Sequence, residues 1–259
     1  MESIALLAAT LCYFFSFGHT LFALGAGRFR PGRFNFAAMA LGAASQGWYL
    51  WLRGAAQHSC PIGTLSETLV FLGWSIALIY LVIGPAYRLS LMGAFTAPLV
   101  LLLQFIALLV PQAPRQGFFR ANPWVEAHAA LSLVAFGAFG LACVAGLMFL
   151  VQEGQLKSRR PAPIFHHLPP ISALSEAILR LLWAGFLLLT LSFAAGWLAH
   201  VPISGVKFWF SLLIWLLYAG LLLGAKKGLV TGRRQALAAA LTFLLVLVLL
   251  PVIQHLSTR

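Results

Sequence analysis

Long apolar stretches separated by short polar segments set the pattern of this chain, running over about Ile4 to Leu24, Phe34 to Leu52, Leu65 to Ile83, Leu91 to Val110, Ala127 to Val151, Leu181 to Ala199, Phe208 to Gly224 and Ala236 to Ile253. Each is close to the roughly 20 residues an α-helix needs to cross a hydrocarbon layer. The pattern predicts an all-α, polytopic integral membrane helix bundle of about eight transmembrane helices, one transmembrane domain over residues 1–259. Pro98 falls inside the fourth helix, where neighbouring helices answer the lost backbone bond, and Gly137, Gly140 and Gly146 leave the fifth thin enough for close packing. The segment from Gln152 to about Arg180 holds Pro161, Pro163, Pro169 and Pro170, then Ser175 and Glu176, which predicts an extended stretch followed by a short interfacial helix.

Composition agrees with lipid as the solvent: 61% of the 259 residues are hydrophobic and 8% charged, so a soluble fold is excluded. The 17 Lys and Arg against five Glu and no Asp give a net charge of +12. In a soluble chain that excess suggests nucleic acid; here it reads as positive-inside orientation and attraction to anionic lipid headgroups. Twelve of the basic residues fall on one side of the eight crossings and five (Arg53, Arg115, Arg120, Lys207, Arg259) on the other. Both termini are therefore expected to be extracytoplasmic. The acid Glu2 ahead of the first run, and the length of that run, read as a retained first helix rather than a signal peptide.

The absence of Asp thins the catalytic options, because paired carboxylates and Asp-supported triads become hard to build. Cys12, Cys60 and Cys143 are widely spaced and form no CxxC pair, so neither a disulfide exchanger nor a zinc site is indicated. Histidine is the richest polar resource. His58, His128, His200 and His255 fall at or beyond the outer surface, His166 and His167 are cytoplasmic, and His19 lies within a crossing, where a polar ring is costly and often functional. A histidine at a helix end is ordinarily an interfacial residue with one face wet. Helices five and eight, however, each bring an imidazole, His128 and His255, to the same depth on the same side, as two axial ligands of one metal centre require. Trp124, Phe118 and Phe119 precede His128, and Trp197 and Trp209 flank His200. Such rings anchor helices at the membrane interface; beside a histidine pair they would also form a slot that stacks on a porphyrin, with Arg115, Arg120 or Lys207 to pair with its propionates. Glu67 reads as a first-turn residue favoured by the helix dipole, and Gln46 and Gln104 as interhelical hydrogen-bonding groups.

Four stretches resemble the cytochrome c assembly family of heme-handling membrane proteins, the CcsA, CcmC and HemX-like group. Cys60-Pro61-Ile62-Gly63-Thr64-Leu65-Ser66-Glu67-Thr68-Leu69-Val70-Phe71-Leu72-Gly73-Trp74 resembles the family's entry to a helix. Trp124-Val125-Glu126-Ala127-His128 resembles the segment presenting its first external heme-binding histidine, and Trp215-Leu216-Leu217-Tyr218-Ala219 with Gly232-Arg233-Arg234 the helix and basic turn after its heme-binding loop. His255 falls where the family places its second external histidine. The likeness is strongest over residues 60–259. Between the external histidines the family carries a tryptophan-rich loop ending Trp-Asp-Pro-Lys; here His200-Val201-Pro202-Ile203-Ser204-Gly205-Val206-Lys207 is short, contains no tryptophan and keeps only the lysine. Leu223 stands where one membrane-embedded histidine is expected, and Gln46 lies near the other.

The resemblance implies a heme-binding or heme-presenting protein of cytochrome c biogenesis in the bacterial inner membrane, with heme as cofactor, His128 and His255 as iron ligands, and Trp124, Trp197, Lys207 and Arg120 around it. A cytochrome c assembly partner and apocytochrome c are the implied protein partners. The departures place the chain nearest the accessory branch, at most a component of a heme lyase. A HemX-like regulatory or scaffolding protein without heme, working through its basic cytoplasmic face, and a small-solute transporter are the competing readings.

Overall fold

The computed structural model describes residues 2–25, 33–83, 92–110, 122–158, 169–200 and 205–256. Among them eight helices follow one another: α1 (Glu2–Gly25), α2 (Arg33–Gln57), α3 (Leu65–Ile83), α4 (Met92–Leu109), α5 (Pro123–Ser158), α6 (Ile171–Leu198), α7 (Val206–Lys226) and α8 (Arg233–Leu256). Seven are long and apolar enough to cross a membrane. The eighth, α2, is diluted by Asn35, Gln46, Arg53 and Gln57, yet it lies antiparallel along all of α1. His19 packs on Phe34 at one end, and Glu2 pairs with Arg53 at the other. At 25 residues it is as long as the crossing helices beside it. The chain is a multi-pass membrane bundle.

What lets α2 carry polar groups through that bundle is a set of buried bonds. The Tyr13 hydroxyl donates to Gln46 Oε1 at 2.7 Å, and Gln46 Nε2 donates to the Val70 carbonyl and to Gln104 Oε1, both at 2.9 Å. Gln104 Nε2 in turn reaches the Leu6 carbonyl and Thr10 Oγ1. One amide network thus joins α1, α2, α3 and α4, each donor satisfied where water is absent. Nearer the other end, Ser16 Oγ donates to Asn35 Oδ1 and Asn35 Nδ2 donates to Thr20 Oγ1.

The helix α5 is the central post. It is 36 residues long and packs against α3, α6 and α8. Three of its glycines sit against neighbouring helices: an added Cβ would lie 2.7 Å from Ser75 Cβ at Gly137, 2.9 Å from Phe243 Cζ at Gly140 and 2.8 Å from the Ala236 carbonyl oxygen at Gly146. Phe139 stacks on Tyr218 with centroids 3.5 Å apart and planes 8° from parallel, tying α7 to the post. A short turn returns the chain from α7 to α8, with Gly228 and Gly232 at φ of 71° and 53°, a region open to glycine without steric penalty.

Two expectations change. The helix expected within the 152–180 connection is not a separate interfacial element: residues 171–180 are the opening turns of α6, continuous to Leu198 because Ile171, Leu174, Ile178 and Leu181 carry the apolar stripe straight into the crossing. Of the expected extended stretch before it, residues 152–158 are instead the closing turns of α5, and 159–168 lie outside the described residues. In addition, α7 begins at Val206, so Lys207 belongs to a first helical turn rather than to a loop.

Candidate functional site

One end of the bundle gathers the N-terminal end of α1, the C-terminal ends of α2 and α6, the N-terminal ends of α3 and α5, and the end of α8. We call it the His128 end. Its scaffold is built on Glu67, which is 1% exposed. Thr64 and Glu67 form a reciprocal cap on α3: Thr64 Oγ1 accepts from the Glu67 N–H, and Glu67 Oε2 accepts from the N–H groups of Gly63 and Thr64. The other carboxylate oxygen accepts from Arg53 Nε at 3.2 Å and Gln57 Nε2 at 2.8 Å. Arg53 also holds Glu2. This pins α1, α2 and the 58–64 turn together, and the Cys60 N–H then donates to Glu126 Oε1 at 3.1 Å, fastening the turn to the first turn of α5.

Two residues after Glu126 comes His128, partly buried against α6. Its Nδ1 lies 2.7 Å from the Ser192 carbonyl oxygen and 3.0 Å from Ser192 Oγ. A carbonyl can only accept, so Nδ1 carries the proton and the neutral ring keeps its lone pair on Nε2. A ring whose far nitrogen is tied to a backbone carbonyl is the form in which histidine ligates metal, its basicity raised by the bond it donates. The donor chemistry therefore suits an axial ligand to iron. A bare metal ion is another matter: among the described residues no group of three or more His, Cys or Glu side chains could hold one.

The other nominated residues separate. His255 is on the last turn of α8 and Lys207 on the first of α7, with both side chains outside the described part, and Arg120 lies outside the described residues altogether. Trp124 and Trp197 stand half and three-quarters exposed at this end, at 50% and 74%. The backbone register relates the two histidines. Gly140 of α5 faces Phe243 of α8, and Gly146 faces Ala236, an antiparallel pairing. Twelve residues back along α5 from Gly140 is His128; twelve forward along α8 from Phe243 is His255.

Three further histidines among the described residues have local roles. His58 and His200 take φ of 51° and 54° just past the ends of α2 and α6, a position that usually falls to glycine. His19 is exposed on the flank of α1 against Phe34. Ser132, Ser192 and Gly196, which surround His128, escaped the sequence reading. Their signal was spacing: His128 and Ser132 lie four apart on α5, as do Ser192 and Gly196 on α6, so each pair shares a helix face.

The family model for cytochrome c assembly proteins matches residues 62–255. The chain belongs to that family. Among curated relatives it is 27% identical to protein HemX of Brevibacillus brevis over 57% of this chain and 55% of that one. It is 30% identical to an uncharacterised 28.8 kDa protein of Azospirillum brasilense over 64% and 63%, and 26% identical to the cytochrome c biogenesis protein CcsA of a Synechococcus strain over 71% of each. The matches thus span between about half and two thirds of the first two relatives' length. The family match ends at His255, on the last turn of α8, and begins in the turn that Glu67 and Glu126 anchor.

Proposed function

We propose that this protein holds heme at the His128 end of the bundle, on the extracytoplasmic side of a bacterial plasma membrane, as part of cytochrome c biogenesis. What supports the reading is the antiparallel pairing of α5 and α8, Gly140 against Phe243 and Gly146 against Ala236, from which His128 and His255 lie equal numbers of residues away along the two helices, together with an imidazole whose Nδ1 is tied to the Ser192 carbonyl. His128 and His255 would hold the iron in this reading. Trp124 and Trp197 supply exposed rings for the flat face of the macrocycle, and Lys207 and Arg120 the cations for its propionates. When bound, the heme supplies vinyl groups for thioether formation with the CxxCH thiols of apocytochrome c. The chain's own residues would hold the iron and tune it through the basicity of their imidazoles. An assembly partner that brings the apocytochrome completes the reading.

The reading has one heme site, without a second inside the membrane. Gln46 spends its amide within the network of Tyr13, Val70 and Gln104, and Leu223 points out of the bundle at 57% exposure. The exposed cluster of Lys226, Lys227, Arg233 and Arg234 favours, as a second reading, a regulatory or scaffolding role of the basic cytoplasmic face.

Heme loading of the purified protein in mild detergent separates the two. The expected result is a Soret band with the sharp visible bands of a six-coordinate low-spin iron, lost in the His128→Ala, His255→Ala double variant. A band that the double variant retains unchanged excludes this site. Capture of a cytoplasmic protein that depends on those four basic residues and ignores the histidines would favour the scaffold.

A further inference from the structure

We propose that α6 is the seat of the His128 imidazole, with Gly196 and Ser192 as positioning residues that lock the ring in its Nδ1–H form and leave Nε2 presented to a ligand. The inference rests on the heme reading above for what that ligand is.

Helix geometry dictates the seat. Each Cα–Cβ bond leans toward the helix N-terminus, so the side chain four residues on covers the carbonyl of the turn before it. Residue 196 would cover the carbonyl of Ser192. Because 196 is glycine, that carbonyl is uncovered, and its second lone pair takes the His128 Nδ1–H at 2.7 Å while the ring lies flat on the gap. An added Cβ at 196 would stand 2.9 Å from Nδ1, 3.3 Å from Cε1 and 3.5 Å from Cγ, contacts with the whole near edge of the ring. The ring could not stay.

The backbone of His128 is tied down as well. Ser132 Oγ and Ser192 Oγ both lie 2.9 Å from the His128 carbonyl and 2.6 Å from each other, so one hydroxyl donates to that carbonyl and the other donates to it or to its partner. Ser192 is fully buried. Four groups from two helices therefore fix one histidine, more than an interfacial side chain needs. Histidine in water favours the Nε2–H form; here the bonds select the opposite tautomer, which is the one that can ligate through Nε2.

Nitrogen-15 NMR of the full chain in detergent, with labelled histidine and His128 identified by its loss in His128→Gln, reads the tautomer without heme. Wild type is expected to show the Nδ1–H form at His128, and Gly196→Ala to move it to the Nε2–H form. Alanine raises helix propensity at 196, so α6 itself is not weakened, and Gly220→Ala, where a Cβ meets nothing within 4 Å, is the control for an added methyl. On heme loading, Gly196→Ala is expected to bind 10- to 100-fold more weakly, the usual effect of removing an outer partner of a ligating histidine. Ser192→Ala is expected to keep heme but shift the His128 nitrogen signals and raise the iron midpoint potential, because a less tightly tied imidazole is a weaker donor. Should Gly196→Ala not fold, Ser192→Ala carries the test through the same two measurements. An Nε2–H ring in the wild-type apoprotein, or heme binding and potential unmoved in both variants, overturns the seat. An Nδ1–H ring in a protein that takes up no heme instead overturns the heme reading, and leaves the seat without its ligand.

Discussion

At the scale of single residues, burial decides what a charge is worth. Glu67 is 1% exposed and accepts from Arg53, Gln57 and two backbone N–H groups. Removing it deletes four accepted hydrogen bonds at a buried position, so Glu67→Ala is expected to lower stability by about 2–4 kcal/mol. Glu153, by contrast, pairs with Lys157 whose side chain is 64% exposed; Glu153→Ala should cost no more than about 0.5 kcal/mol. Equilibrium unfolding in mixed micelles measures both, and equal losses would contradict this account of the cap. The helix-start role of Glu67 was legible in Thr64-Leu65-Ser66-Glu67, because a capping box is local. Its grip on Arg53 and Gln57 was not, since those residues lie on another helix.

Helices in lipid pack without a hydrophobic drive between them, and small residues then control the approach. At Gly146 the neighbour is backbone, the Ala236 carbonyl oxygen, which cannot swing aside. Gly146→Ala is expected to cost about 1–3 kcal/mol by forcing α5 and α8 apart, and, on the heme proposal, to weaken heme uptake, because His128 and His255 are carried by these two helices. Gly220→Ala, with open space around it, should be neutral or stabilising by up to about 1 kcal/mol. Thermal unfolding midpoints of the two variants, side by side, test the distinction; similar midpoints would mean that α5 and α8 have slack at this crossing. That glycines thin α5 is readable from Gly137, Gly140 and Gly146 alone. Which glycine meets backbone and which meets lipid is not.

The whole molecule has a polarity that follows from its charges. The turn around residues 227–232 and the His128 end lie at opposite ends of α7 and α8, and the former carries the exposed Lys226, Lys227, Arg233 and Arg234. If positive charge stays inside, then in a background with Cys12, Cys60 and Cys143 replaced, a His58→Cys variant should react with a membrane-impermeant thiol reagent added to intact cells. A Leu229→Cys variant, 67% exposed in the wild-type residue, should react only after permeabilisation. The reverse pattern would put the histidine site on the cytoplasmic face and remove the extracytoplasmic heme proposal.

What the amino-acid order determined by itself was what depends on near neighbours along the chain: the lipid setting, the number and order of the eight helices, the place of Glu67 in the first turn of α3 and the presence of amides that must find partners. Tertiary structure alone decided which faces meet. In water a polar face marks the outside, but in a bilayer both faces of a helix are apolar, so hydropathy carries little information about rotation. His19 therefore looked more central than it is, and lies exposed beside Phe34, whereas Gln46 and Gln104 found each other across 58 residues of chain. The ring of His128 over Gly196 and the carbonyl of Ser192 depends on the phase and register of two helices, and no local pattern records either.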